Sequence, residues 1–266
     1  MRGWEGMTPA ALDAAYANAD HIPGADTFLE TWPKAAAAFR ARHVPETLTY
    51  GADARQRIDL FRPGGAAKGL VVFIHGGYWR RFDRRDWSHL AAGALSRGYA
   101  VALPGYVLAP KHRIGQITAA IAKAIDCVAA AVEGPIGVAG HSAGGHLAAR
   151  MVMADAAPDC ADRIATCVPI SPLADLRPLV PQSMNADLCL DPGEAARESP
   201  ALGHQSVQAR LAIHVGADER PAFLWQADLL GAAWNGPVRI APGRHHFDVI
   251  DALTDPASAL IDDLLP

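Results

Sequence analysis

Residues 135–154 read "PIGVAGHSAGGHLAARMVMA". The first six residues form a short apolar run of strand character, and the last ten carry the composition of a buried helix. Between them lies G-x-S-x-G, written here Gly140-His141-Ser142-Ala143-Gly144. A strand that turns straight into a helix around a serine bends so sharply that the residues two before and two after it are best without side chains. The hydroxyl is then held clear of the sheet, next to a helix N-terminus that favours developing negative charge. A bare G-x-S-x-G arises often by chance; one set on a strand–turn–helix is far more specific than a helix cap requires. Ser142 is therefore the candidate nucleophile, and the fold is predicted to be one that mounts a serine on top of a sheet.

Working outward, the chain alternates. Strands are predicted at 69–76, 99–105, 135–140, 164–171, 211–217 and 237–243, preceded by two more in "ETLTYG" and "QRIDLFRP". Helical patterns fall at 84–97, 115–132, 143–154, 221–233 and about 247 to 264. Continuous Val/Ile/Ala runs separated by helices imply an α/β fold, with a mostly parallel sheet covered on both faces. The Ala-rich segment from about 8 to 42, broken by "HIPGAD", reads as one or two helices packed on a single domain spanning 1–266. The stretch 172–209, rich in Pro, Asp and Ser, interrupts the alternation and reads as a lid-like insertion over the strand ends.

Composition narrows the function. With 266 residues the chain needs no staples to bury a core. A formal charge of −4 argues against nucleic acid, which requires a basic stripe. The one dense cluster, "WRRFDRR" at 79–85, is offset by Asp83 and Asp86 and reads as a solvated helix start. Cys127, Cys160, Cys167 and Cys189 show no ligand or disulfide spacing; Cys127 and Cys167 read as small buried hydrophobes, and a reduced, cytoplasmic compartment fits. No run approaches a signal-peptide core or a membrane span. No metal-ligand spacing joins His141 or His146 to other donors, so neither a metal nor another cofactor is expected, and the expected partner is a small-molecule substrate. A homodimer is compatible with the sequence.

A serine hydroxyl needs a base, and the base needs a group that orients it. In folds with this turn the order along the chain is Ser, acid, His. Asp218 follows the strand at 211–217, and Asp175 follows the strand before it, so both are candidate acids. "GRHHFDVI" offers His245 and His246 after the last strand, and adjacent side chains diverge, so one of them faces Ser142. The tetrahedral intermediate of such a reaction carries an oxyanion that needs preorganised N–H donors. Ala143 supplies one. "HGGYW" at 75–79 follows an early strand; the amides of Gly77 and Tyr78 are the expected others, with Gly76 allowing the turn and His75 holding the loop. The Trp79 side chain is expected to wall the substrate, while Trp225 and Trp234 read as packing residues.

"HGGYW", "GHSAGGHLA", "VGADE" and "HHFDVI", in this order, resemble the kynurenine formamidase (arylformamidase) branch of the α/β-hydrolase family, itself related to hormone-sensitive-lipase-like esterases. "YGADARQRIDLFRP", "PGYVLAP" and "ISPLADLRPL" extend the resemblance over most of the chain. It implies an α/β-hydrolase fold and a triad of Ser142, Asp218 and His246. The implied reaction is release of formate from an N-formyl arylamine such as N-formyl-L-kynurenine, a step of tryptophan catabolism. A carboxylesterase is the alternative. One departure is "GYVLAPKHR", where Val107 and Lys111 replace the Arg and Glu usual in the related esterases.

Overall fold

A computed structural model describes residues 4–266. The N-terminal segment forms α1 (Pro9–Tyr16), whose Thr8 hydroxyl caps the first turn by accepting from the Ala11 N–H, and α2 (Ala25–Arg42). The strands follow as β1 (Glu46–Thr49), β2 (Arg57–Phe61), β3 (Leu70–Ile74), β4 (Ala100–Pro104), β5 (Ile136–His141), β6 (Ile164–Ile170), β7 (Arg210–Leu211), β8 (Ile213–Gly216) and β9 (Val238–Ala241). Between and after them come α3 (Ala92–Ser96), α4 (Ile114–Ala129), α5 (Ala143–Arg150), α6 (Asn185–Leu188), α7 (Pro192–Arg197), α8 (Pro221–Trp234) and α9 (Ala259–Leu264).

The strands join in the order β1-β2-β4-β3-β5-β6-β8-β9, with the two-residue β7 also on β6. β1 and β2 run antiparallel; from β4 onward the sheet is parallel. Parallel strands have both faces covered, which accounts for the unbroken apolar runs of β3 and β5. Alternation along β3 sends Leu70, Val72 and Ile74 into a layer with α1, α4, α5 and α8, and Val71 and Phe73 into the opposite layer with α2, α3 and α9. No helix among the described residues is long and apolar enough to cross a membrane.

Four expectations are refined. The helix at 84–97 opens as a 3-10 segment, Arg84–Ala91, capped reciprocally by Asp83 and Asp86, before α3 begins. The arginine-rich run ahead of it is not simply solvated: Arg84 is buried and pairs with the fully buried Asp59 at 3.1 Å, which also holds Arg40 at 2.6 Å. The pattern at 247–264 divides into a 3-10 segment, Val249–Thr254, and α9, because Pro256 forces Asp255 into extended backbone. All four cysteines are free, with Cys167 buried but Cys127 only half-buried.

The stretch 172–209 carries α6 and α7 and is pinned to the body. Glu194 pairs with Arg113, and Glu198 accepts from Thr118 Oγ1 at 2.8 Å and from Arg150 Nε at 3.2 Å. Trp234, at the end of α8, donates its indole N–H to Pro200 O.

Candidate active site

Ser142 caps α5 with φ 57° and ψ −117°, a conformation that a non-glycine residue holds only where its surroundings enforce it. Its N–H donates to Ile170 O at 2.8 Å and its carbonyl accepts from the His146 N–H at 3.0 Å. The flanking glycines make the turn sterically attainable. A Cβ at Gly140 would strike the Gly144 carbonyl, and one at Gly144 would strike Ile74 O in β3.

His246 lies in the loop after β9 and faces the same cavity as Ser142. Its Nδ1 is 2.6 Å from Oε2 of Glu219, a fully buried carboxylate. The expected acid was Asp218, and here the structure differs. Asp218 is exposed on the turn beyond β8, where its N–H donates to Arg244 O and its side chain bonds to nothing among the described residues. The turn after Gly216 carries residue 218 outward and residue 219 back beneath the imidazole. Glu219 Oε1 is held in turn by the Gly216 N–H at 2.9 Å and by the Ser171 hydroxyl. Ser171 has φ 47° and is fully buried, a second strained residue spent on this carboxylate. Asp175, the rival acid, is buried against its own neighbour: Arg177 bonds both its oxygens, at 2.9 and 2.7 Å. His245 turns away, its Nδ1 accepting from the N–H groups of Phe247 and Asp248.

The loop after β3 is coiled through three consecutive left-handed residues, Gly77 (φ 101°), Tyr78 (φ 51°) and Trp79 (φ 56°). At Gly77 even a Cβ would be too much, meeting Phe82 Cδ2 at 2.7 Å and Arg81 O at 2.8 Å. The N–H groups of Gly77, Tyr78 and Ala143 find no acceptor among the described residues. The Gly76 carbonyl is fixed from behind by His75 Nδ1 at 2.8 Å, and the His75 ring stacks on Tyr106 with centroids 4.4 Å apart. Burial holds the His75 imidazole down to about pKa 4, so it is neutral and its Nδ1–H donates. Gly76 itself permits close approach, since a Cβ there would lie 3.1 Å from Ser142 Cβ.

Ser142 and His246 open on a cavity of about 430 Å³. Its walls combine aromatic rings, from Tyr16, Trp32, Tyr78, Phe82, Trp87 and Phe247, with the charged side chains Asp13, Asp20, Arg80 and Arg81. Trp79 is not among them. The left-handed coil drives its ring into the main core, where it is 0% exposed and packs edge-on to His146 at 5.2 Å. The ring that the sequence placed at Trp79 is provided by Trp32 of α2, which lies 4.8 Å from Trp87 and 5.2 Å from Phe247. The N-terminal segment and the stretch 172–209 meet at the cavity, where Asp13 Oδ1 accepts from the Ser183 N–H at 2.9 Å. Val107 is buried and Lys111 pairs with Asp53 at 2.6 Å, so the departure in "GYVLAPKHR" lies outside the cavity lining. No group of three or more metal-binding side chains exists among the described residues.

Comparison with known proteins agrees with this architecture. Kynurenine formamidase of Danio rerio is 26% identical over 277 residues, covering 96% of this chain and 94% of that protein. The kynurenine formamidase of Salmo salar is 24% identical, with 96% and 95% covered. Among solved structures, a protein described as a candidate thioesterase from Silicibacter sp. TM1040 shares 47% identity and superposes with a TM-score of 0.93 over 95% of this chain and 98% of its own. A Pyrobaculum calidifontis esterase at 21% identity shares the fold, with a TM-score of 0.69 over 89% of this chain and 92% of its own. The alpha/beta hydrolase fold family (Abhydrolase_3) matches residues 71–212, more than half of the sequence, and the chain therefore belongs to the α/β-hydrolase family and is a hydrolase.

Proposed function

We propose that this chain is a serine hydrolase that removes the formyl group from an N-formyl arylamine. The observation that carries this reading is the placement of Ser142 and the Glu219-backed His246 at one cavity with aromatic walls. Ser142 attacks the formyl carbon while His246 Nε2 takes its proton. Glu219, not Asp218, fixes the imidazole with its proton on Nδ1 and stabilises the imidazolium that forms. The oxyanion is received by the N–H groups of Gly77, Tyr78 and Ala143. His246 then protonates the departing arylamine nitrogen, and water hydrolyses the formyl ester of Ser142 to formate. The kynurenine formamidases similar over nearly the whole chain support this choice of bond.

The second reading is an esterase or thioesterase that uses the same residues, and the 47% identical candidate thioesterase favours it. A turnover panel of N-formylkynurenine, a p-nitrophenyl ester and an acyl thioester separates the two. The formamidase reading expects the highest kcat/KM on the formamide, and a preference for either ester by more than tenfold overturns it. Activity is expected to survive exhaustive EDTA treatment; a loss restored by added metal would overturn the serine mechanism. Four free cysteines support a reducing, cytoplasmic setting for this activity.

A further inference from the structure

His141 immediately precedes the nucleophile and has no role in the mechanism above. Its side chain is almost wholly buried, yet the residue lines the cavity beside Ser142 and His246. Its Nε2 lies 2.8 Å from the main-chain carbonyl of His246. A carbonyl only accepts, so Nε2 must carry a proton. Burial and the neighbouring His246 hold the imidazole well below the usual histidine range, so the ring is neutral. With the proton fixed on Nε2, Nδ1 is left as a lone-pair acceptor. That atom has no partner among the described residues and is not sealed from solvent, in contrast to Nδ1 of His146 and Nε2 of His75. It lies beside the oxyanion loop, 3.4 Å from where a Cβ of residue 76 would stand. The His141 and His246 rings are 4.7 Å apart and line the same cavity.

We infer that His141 reads the scissile bond: its Nδ1 accepts the N–H of the amide under attack, and this favours formamides over esters of the same shape. The inference rests on the formamidase reading and deepens it. When a tetrahedral intermediate forms from an amide, the nitrogen pyramidalises and turns its lone pair toward the proton on His246 Nε2. Its N–H must then point elsewhere, and an N–H that the bound substrate shields from water is costly to leave unpartnered. A fixed acceptor meets that need. An ester presents an oxygen lone pair at the same place, where it faces the Nδ1 lone pair without gain.

The test compares formanilide with phenyl formate, which differ by N–H for O, in wild type, His141→Leu and His141→Gln. Both variants remove or alter the bond to the His246 carbonyl, so the readout is the ratio of the two kcat/KM values, in which an effect on His246 common to both substrates cancels. In His141→Leu the formanilide value is expected to fall about tenfold further than the phenyl formate value, the loss of one neutral hydrogen bond. His141→Gln, which can donate through its amide nitrogen and accept through its oxygen, should recover part of the ratio. Equal losses on both substrates in His141→Leu, with formanilide turned over by wild type, would overturn this inference and leave the formamidase reading standing. A wild-type enzyme active on phenyl formate and inert to formanilide and to N-formylkynurenine would overturn both.

Discussion

A carboxylate can orient an imidazole only if it reaches Nδ1 and is itself held still. Glu219 meets both conditions, at 2.6 Å from His246 and with two donors on its other oxygen. Glu219→Gln is therefore expected to lower kcat by about 10⁴, through the wrong tautomer, while Asp218→Asn stays within about threefold of wild type. Steady-state kinetics of the two variants decide the point, and the opposite ranking would return the acid to residue 218. Ser171→Ala, which strips one donor from Glu219, should cost about tenfold in kcat at unchanged KM, a hydrogen bond to a charged group being worth somewhat more than a neutral one. Ser142→Ala should abolish turnover, a loss of about 10⁶, with an unaltered circular dichroism spectrum. Ser142 and the loop at 75–79 were legible because strand-turn-helix geometry demands small residues at fixed spacing. Asp218 against Glu219 was not legible: two adjacent acids follow β8, and only the path of the turn says which of them comes back under the histidine. Ser171 gave no signal at all, since its role depends on contact across 48 positions of sequence.

At the scale of elements, periodicity located β3 to β6, α4, α5 and α8 because each buries a face whose period is set by its own geometry. Boundaries moved where capping took over, as at Asp83, or where proline intervened, as at Pro256. What periodicity could not supply was which aromatic ring faces the cavity. Three successive left-handed residues reverse the chain at Gly77–Trp79, and the ring expected in the pocket becomes part of the core. α2 fills the vacated role with Trp32, more than forty residues earlier in sequence. Trp79→Leu should therefore lower the Tm, as a large buried side chain replaced by a smaller one does, and reduce kcat/KM for N-formyl arylamines and for small aliphatic esters alike. Trp32→Leu should instead depress the N-formyl arylamine preferentially, by about two- to tenfold relative to vinyl acetate, the range of an aromatic contact beyond area burial. The paired measurement of Tm and of the two specificity constants distinguishes wall from packing. A selective loss in Trp79→Leu and an even one in Trp32→Leu would reverse the assignment.

At the scale of the whole molecule, the same dry packing that positions the site fixes several histidines in their neutral form. Burial holds His75 and His89 down to about pKa 4 and His146 to about 3, far below the 6.5 of an exposed imidazole. In the unfolded chain all three regain ordinary values. About a unit or more above pH 6.5 neither state protonates them and they make almost no pH-dependent contribution. As pH falls below 6.5 the unfolded chain binds protons that the folded chain refuses, so stability is lost progressively until the folded values near 4 and 3 are reached. At pH 5 these three residues alone make unfolding take up close to three protons, a slope of about 1.4 kcal/mol per pH unit for each. The Tm is thus expected to fall steeply from pH 6.5 to pH 4.5, above the range in which most carboxylates titrate, and to be nearly flat from pH 7 to pH 8. His89 lies outside the cavity lining, and His89→Gln should reduce the slope by about one proton while sparing the aromatic wall. Calorimetry at a series of pH values measures both the slope and its change. A Tm independent of pH between 6.5 and 4.5 would mean that these imidazoles are solvated in the folded protein, contrary to the packing that places His75 against Tyr106 and His146 against Trp79.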